Sequence, residues 1–237
     1  MTVRDSKYPV QDIIRPQNVL VSVTDKSRLQ EVVEGLLDIN KRCVFYSTGG
    51  TGREIIKILG DKARANYVSV EEYTGTPEME GGLVKTLTPK VHAGILGERG
   101  NPHHENYLRI VDEVLKNPPK AKGVYMDVVV CNVYPFTDVV RKGATAESAR
   151  GNIDIGGPTM IMGSAKNWPS VAVVTSPNEY PYVLEEIRRN HGTTLRLRFE
   201  LAKHAMRGIA TYRTAIADHF GSLDFDKEVL PRLEIAE

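Results

Sequence analysis

The sequence predicts an α/β fold, with a parallel sheet flanked by helices and a helical appendage at the carboxyl-terminal end. Short, nearly continuous apolar runs alternate with segments of helical periodicity, as expected when helices cover both faces of a parallel sheet. No low-complexity linker divides the 237 residues, and a long amphipathic segment stands near their end. We therefore expect an extension at residues 1–17, one domain at residues 18–222 and a tail at residues 223–237.

Five apolar runs predict the strands of the sheet. They are rich in β-branched residues and are bounded by polar and turn residues, which is typical of strands that alternate with helices. The predicted strands are Val19–Val23, Cys43–Tyr46, Tyr67–Val70, Asp127–Val133 and Ser170–Val174.

Apolar residues at helical spacing predict the intervening helices. Capping boxes at Ser27 with Gln30 and at Thr51 with Glu54 indicate two helix starts, and Pro177 begins a third. The long final helix carries a possible break at Gly208, and its Lys and Arg residues are expected to face solvent. The predicted helices are Leu29–Leu37, Glu54–Leu59, Glu105–Asn117, Pro158–Lys166 and Leu195–Phe220, together with one that follows Ser176.

Composition excludes several classes of protein. The chain is 41% hydrophobic and 26% charged with a net charge of +1, so no basic face for nucleic acid is demanded. No apolar run approaches the length of a membrane span, and the amino-terminal residues do not form a secretory signal. Cys43 and Cys131 lie in apolar runs and predict buried thiols. We expect a cytoplasmic protein.

Two turns that follow strands indicate a phosphate pocket. The ends of parallel strands expose the amino termini of the next helices, whose N–H groups bind anions. Thr24 and Lys26 supply a hydroxyl and a cation at the first turn, and Thr48–Thr51 supplies two hydroxyls and two glycines at the second. Either turn alone is equally well explained by capping, but two on consecutive units favour phosphate binding.

Four other side chains carry groups that could transfer protons or stabilise charge, and they lie in loops or at the ends of predicted elements. Lys85 lies in an irregular loop within residues 75–97, Tyr134 follows the most apolar strand, and Asp154 precedes a helix that ends near Lys166. Each alone has an ordinary explanation: a solvated lysine, a strand-end aromatic, an N-cap and a cation on a helix dipole.

The runs SVTDKS, STGGT, EYTGTPEMEGGLVKTLTPKVHAGIL, NVYPF, NIDIGGPTMIM and SAKN, in this order and spacing, resemble the IMP cyclohydrolase domain. That domain is usually the amino-terminal part of a bifunctional protein whose other half formylates the substrate with a folate. The resemblance covers roughly residues 19–220. It implies a sheet of the methylglyoxal-synthase-like class, which agrees with the strands and helices predicted above.

The resemblance implies a reaction without a cofactor. In 5-formamidoimidazole-4-carboxamide ribotide (FAICAR), the carboxamide nitrogen attacks the formyl carbon, and loss of water gives inosine monophosphate (IMP). Lys85, Tyr134, Asp154 and Lys166 match the family's catalytic positions. We hypothesise that Asp154, Lys166 and Tyr134 handle protons and the formyl oxygen, while Lys85 orients the carboxamide or helps to deprotonate it. Which residue is the base stays open.

The resemblance also implies how the nucleotide is bound. The family's phosphate pocket matches Ser22, Thr24, Lys26, Thr48, Gly49, Gly50, Thr51 and Thr86. We add Asn132 and the backbone of Ile155, Gly156 and Gly157, whose N–H groups are expected to bind the developing oxyanion. Three positions depart from the family: Leu83 and Met162 replace arginine, and Thr88 replaces histidine.

Partners follow from the same resemblance. A homodimer is implied, and because residues 1–237 contain no formylating half, a separate enzyme would supply the substrate. Two alternatives stay open: a degenerate module that senses purine nucleotides, and a methylglyoxal-synthase-like lyase, although no SGPLGGD-type loop is found. The six histidines have no metal-ligand spacing, so no metal site is predicted.

Overall fold

The computed structural model describes residues 8–77, 79, 84–116 and 121–234. In this part of the chain, a five-stranded sheet has helices on both faces, and a 28-residue helix lies towards the carboxyl-terminal end. The predicted α/β fold class is confirmed.

The strands of the sheet are β2 Asn18–Val23, β3 Val44–Ser47, β4 Tyr67–Ser69, β5 Val128–Asn132 and β6 Ala172–Val174. They are parallel and lie in the order β4-β3-β2-β5-β6. From β2 the chain first builds the sheet in one direction, through β3 and β4, and later returns to β5 on the other side. The point where the direction reverses lies between β2 and β5, and ligands of open α/β sheets bind beyond the strand ends at such a point.

The described helices alternate with these strands. Three-residue 3₁₀ turns lie at Gly60–Lys62, Pro177–Glu179 and Leu230–Arg232, and a π-helical turn lies at Phe225–Val229. The α-helices are α1 Leu29–Ile39, α2 Gly49–Leu59, α3 Ala63–Asn66, α4 Val70–Thr74, α5 Pro89–Leu96, α6 Pro102–Leu115, α7 Phe136–Arg141, α8 Ala146–Gly151, α9 Gly156–Lys166, α10 Tyr180–Asn190 and α11 Leu195–Ser222.

The core lies in two layers, one on each face of the sheet. Successive residues of a strand point to opposite faces. Val19 and Val21 therefore pack among the residues of α1, α2 and α10, whereas Leu20 packs among those of α5, α9 and α11. All three side chains are buried, which explains why the strands are apolar throughout and do not alternate with polar residues.

Several details of the helices differ from the sequence prediction. The capping box at Ser27 is wrong, because α1 follows Arg28, which has a φ of 60° and makes no capping hydrogen bond. The box at Thr51 is also wrong, since α2 begins at Gly49 and the Thr51 hydroxyl bonds to Val23 on β2. Helix α11 continues through Gly208 without a break.

The extension before the sheet is fixed by two buried contacts. Its strand β1 (Ile13–Ile14) pairs antiparallel with β7 (Thr193–Thr194). Arg198, which the sequence predicted to face solvent with the rest of α11, is fully buried. Its guanidinium donates to five backbone carbonyls, those of Gln11, Asp12, Trp168, Pro169 and Thr193.

Both cysteines are buried thiols, as predicted, and burial raises the pKa of each. None of the helices in the described ranges is long and apolar enough to cross a membrane. Residues 1–7 of the predicted extension and 235–237 of the predicted tail lie outside those ranges, as does Asn117, the predicted end of α6.

Candidate active site

A cleft of about 930 Å³ opens where the sheet changes direction. It lies beyond the carboxyl ends of β2 and β5, and the start of α9 and Tyr212 of α11 complete its walls. Nine of the residues predicted from the sequence line it: Ser22, Thr24, Lys85, Thr86, Tyr134, Asp154, Ile155, Gly156 and Gly157.

The amino terminus of α2 carries unpaired N–H groups beside the cleft. Its N-cap, Thr48, has an extended backbone and makes no side-chain capping bond. Gly49 has a φ of 47°, a conformation that favours glycine. The first N–H groups of a helix have no acceptor within the helix, so they are free to bind an anion.

Three cations gather at this helix end. A methyl group on Gly49 would stand 3.2 Å from Nζ of Lys85, and one on Gly50 would stand 4.0 Å from Nζ of Lys26 and 3.7 Å from the Arg53 guanidinium. Arg53 was missed by the sequence analysis. Positive side chains and free N–H groups together make this end of α2 suited to a phosphate.

Two of the side chains that were predicted to bind the nucleotide form hydrogen bonds to the protein backbone. The Thr51 hydroxyl donates to the Val23 carbonyl at 2.9 Å and accepts from the Val23 N–H at 3.3 Å. The Asn132 amide oxygen accepts from Thr24 and Asp25 N–H groups at 2.8 and 2.9 Å. These contacts hold the turn after β2 in place, so both residues shape the pocket wall.

Asp154 is held at the start of α9 by two hydrogen bonds. Its Oδ1 accepts from the Gly157 N–H at 3.0 Å, although the N-cap of α9 is Ile155 and not Asp154, as considered from the sequence. Its own backbone N–H donates to the Tyr212 hydroxyl at 2.8 Å. The carboxylate is exposed to the cleft, so capping does not remove it from solvent or ligand.

Two glycines bring the cleft walls close to Asp154. A methyl group on Gly157 would stand 2.3 Å from Oδ2 of Asp154, and one on Gly156 would stand 2.7 Å from Oγ1 of Thr86. Larger side chains at either position would push these polar atoms apart. Because Asp154 occupies the Gly157 N–H, the N–H groups of Ile155 and Gly156 are the stronger candidates for binding an oxyanion.

Tyr134 follows the end of β5 by two residues and lines the cleft. Its hydroxyl accepts a hydrogen bond of 2.7 Å from Nζ of Lys142. Lys142 follows α7 and also lines the cleft. No sequence motif marks this lysine as part of a site.

Lys166 is not brought to this cleft. It ends α9, whereas Asp154 lies two residues before the first residue of that helix. The helix has 11 residues, so ten steps of about 1.5 Å separate its ends by about 15 Å. Lys166 instead lines a smaller cavity with Gln11, Glu98 and Asn167.

The positions at which the sequence departs from the family pattern lie in different parts of the structure. Thr88 is the N-cap of α5 and accepts from the Val91 N–H, so here it has a structural role. Met162 is exposed on α9, outside the set of residues that line the cleft. Leu83 and the adjacent Gly81 and Gly82 lie outside the described residues.

His92 supports the loop that carries Thr86. Its imidazole hydrogen-bonds to the backbone of Thr86, and burial lowers its pKa. Its Nε2 is buried and has no hydrogen-bond partner among the residues described. Within those same ranges, no group of three or more His, Cys, Asp or Glu side chains is arranged to hold a metal ion.

Comparisons with known proteins agree with this architecture. A solved structure titled "Crystal structure of ForH" is 25% identical, with a TM-score of 0.65 over 87% of this chain and 100% of that chain. The model of the family described as "AICARFT/IMPCHase bienzyme" matches residues 164–236, from the end of α9 through α11. This match covers 73 of the 237 residues, so it shows that the chain is similar to the AICARFT/IMPCHase bienzyme family over this segment.

Proposed function

We propose that this protein is an IMP cyclohydrolase that converts FAICAR into IMP and water. One observation carries the proposal: Lys85, Tyr134 and Asp154 line a single cleft, and Lys85 also lies beside Gly49 at the amino-terminal end of α2. A nucleotide bound by its phosphate at α2 would extend its base into the part of the cleft that contains Tyr134 and Asp154.

Phosphate binding is assigned to the ends of β2 and β3. The N–H groups at Gly49 and Gly50 would bind the phosphate oxygens, and Lys26 and Arg53 would balance the charge. The hydroxyls of Thr24 and Thr86 line the same wall and are suited to the ribose or phosphate. Thr51 and Asn132 would act indirectly, by holding the turns in position.

The first chemical step forms the bond between the carboxamide nitrogen and the formyl carbon. The electron pair of the formyl C=O double bond moves to oxygen, and the nitrogen loses a proton to a base. We assign Asp154 as the base and Lys85 as the cation that orients the carboxamide. Tyr134 would donate to the formyl oxygen, with the N–H groups of Ile155 and Gly156 as further donors.

The second step removes water from the carbinolamine. The former formyl oxygen leaves as water with two protons, one from a donor in the cleft and one acquired in the first step. The former formamido nitrogen loses its proton to a base, and a C=N bond forms between it and the former formyl carbon. Both reacting groups belong to one ring, so the enzyme's main task is to fix their rotamers and to move protons. No electron acceptor or co-substrate is needed.

We do not assign Lys166 a role in proton transfer within its own chain. Its distance along α9 from Asp154 and its place in a different cavity argue against direct contact with the reacting atoms. Residues 18–222 would form the catalytic domain, in a cytoplasmic homodimer, with FAICAR supplied by a separate formylating enzyme.

The test is conversion of FAICAR to IMP by the purified protein, followed by absorbance. We expect turnover above the spontaneous rate, and at least a hundredfold lower kcat in Asp154→Asn and Lys85→Met. Asp61→Asn and Lys57→Met change exposed residues of the same types outside the cleft and are expected to keep full activity. Equal activity in all four variants would refute the assigned site.

A degenerate nucleotide-binding module is the second candidate. The placement of Thr88 and Met162 favours it, because neither position supplies the cation that the family usually has there. This alternative predicts that IMP binds while FAICAR is not turned over. Calorimetric titration with IMP, beside the turnover assay, separates the two functions.

A further inference from the structure

Lys142 and Tyr134 form a hydrogen-bonded pair on the wall of the cleft. Nζ of Lys142 lies 2.7 Å from the Tyr134 hydroxyl and 5.2 Å from the centroid of its ring. Both side chains are exposed and both line the cleft. Lys142 is not among the positions that match the family's catalytic or binding residues.

The direction of this hydrogen bond determines where the Tyr134 proton points. An ammonium group has donors and no acceptor, so the phenolic oxygen must be the acceptor. The hydroxyl proton of Tyr134 then has to be donated elsewhere. No protein acceptor for it is found in the described part of the chain, which leaves water or a ligand in the cleft.

The backbone places Lys142 for this contact. Lys142 is the C-cap of α7, and its N–H bonds to the carbonyls of Asp138 and Val140. A cation is favoured at a helix carboxyl terminus. The buried ring of Phe136 anchors the start of α7, and Gly143, with a φ of 77°, turns the chain immediately after Lys142.

The charged surroundings are compatible with a cationic Lys142. The hydrogen bond to Tyr134 and the charge of Asp138 raise the pKa of Lys142, so its ammonium form persists at neutral pH. Across the cleft, the titratable groups are Lys85, Asp154 and Tyr212. A hydrogen bond from a cation polarises the phenolic O–H and makes it a stronger donor.

We propose that Lys142 is a positioning residue that orients the Tyr134 hydroxyl as a donor to the substrate oxygen that gains negative charge during cyclisation. This inference rests on the proposed function, in which that oxygen is the formyl oxygen. As the nitrogen–carbon bond forms, the C=O electron pair moves to this oxygen, and the Tyr134 proton stabilises it. Lys142 itself does not contact the substrate.

The test is a double-mutant cycle of Lys142→Met and Tyr134→Phe with FAICAR as substrate. We expect Lys142→Met to lower kcat by roughly five- to tenfold, with KM within about twofold, and Lys142→Arg to restore most of the loss. In the Tyr134→Phe background, Lys142→Met should have no further effect. Arg141→Met, which changes the neighbouring exposed cation, is the control and should match the wild type.

Independent effects of the two substitutions would overturn the proposal. A change confined to KM would also overturn it, because it would assign Lys142 to substrate binding. The pair can be observed without turnover from the ¹³Cζ signal of labelled Tyr134, assigned with Tyr134→Phe. We expect this signal to move in Lys142→Met and to return in Lys142→Arg.

The same measurement distinguishes failure of the proposed function from failure of this inference. If the wild type does not turn over FAICAR, the proposed function falls. IMP then serves as the probe. A ¹³Cζ shift on adding IMP to the wild type that is lost in Lys142→Met supports orientation of Tyr134 by Lys142, whereas equal shifts in both proteins overturn it.

Discussion

The backbone N–H of Asp154 donates to the hydroxyl of Tyr212, 58 residues further along the chain, at 2.8 Å. Helix α11 therefore fixes the backbone of the candidate base. Tyr212 is nearly buried, and its ring lies edge-on to Phe136, so its hydroxyl has little freedom. The carboxyl-terminal helix is thus a wall of the site as well as a cover for the sheet.

Tyr212→Phe is expected to lower kcat by roughly three- to tenfold and to lower the free energy of unfolding by about 1 kcal/mol, since one hydrogen bond is lost. Steady-state kinetics and urea denaturation measure the two effects. The control is Tyr182→Phe, at an exposed position on α10. If Tyr212→Phe keeps wild-type kcat, Asp154 does not depend on this contact.

Gly49→Ala is expected to raise KM for FAICAR by about tenfold, because the new methyl group would stand 3.2 Å from Nζ of Lys85. The positive φ of Gly49 should also cost about 1–2 kcal/mol of stability. Gly60→Ala is a matched control, since Gly60 ends the same helix at a φ of 54° with no atom within 4 Å of the added methyl. A similar KM in both variants would mean that strain alone explains the change.

His92 is expected to make the free energy of unfolding depend on pH in the mildly acidic range. Burial holds its folded-state pKa below 6.5, so the unfolded chain binds the proton more readily. The stabilisation from neutral His92 is fully present above pH 6.5 and is lost as the pH falls through the folded-state pKa. We expect the wild type to lose more unfolding free energy than His92→Gln between about pH 7.5 and about pH 5.5. Equal losses in denaturant titrations would contradict this assignment.

Arg198→Met should lower the free energy of unfolding by on the order of 3 kcal/mol or more, because five carbonyls lose a charged donor. The extension at residues 8–17 should also become sensitive to protease. Arg196→Met, at an exposed position of the same helix, is the control. Equal denaturation midpoints for the two variants would show that the buried contacts are dispensable.

Lys166→Ala is expected to keep kcat within about twofold of the wild type, since about 15 Å of helix separates it from the start of α9. Steady-state kinetics with FAICAR measure this, with Lys203→Ala as a surface control. A loss of tenfold or more in Lys166→Ala alone would place this lysine back in the mechanism.

The fold could be predicted because burial of both sheet faces leaves a continuous apolar signal in each strand. Val19–Val23 and the run ending at Asn132 carry that signal, and the polar residues after them necessarily meet at one edge of the sheet. Thr24 and Tyr134 were therefore accessible to sequence reasoning, whereas Asp154 was reached from its place before a helix and from the family resemblance. The helix starts were less accessible, because Thr51 uses its hydroxyl on β2 and not as a cap.

Other residues depend on tertiary contacts that no local pattern records. Tyr212 looks like one more apolar position of an amphipathic helix, and Lys142 looks like a solvated helix end. Arg198 shares its helix with exposed arginines, so only the packed structure reveals its burial. Lys166 is the opposite case: its family position suggests a role, whereas the length of α9 places it beside a different cavity of the same chain.

The contact between Asp154 and Tyr212 also determines when the candidate site can form while the chain is being synthesised. A ribosome adds residues from the amino terminus, and domains generally fold as units. The backbone of Asp154 can therefore be fixed only after more than fifty later residues have been made and α11 has docked. A chain that ends before Tyr212 would lack the contact that holds the candidate base in place.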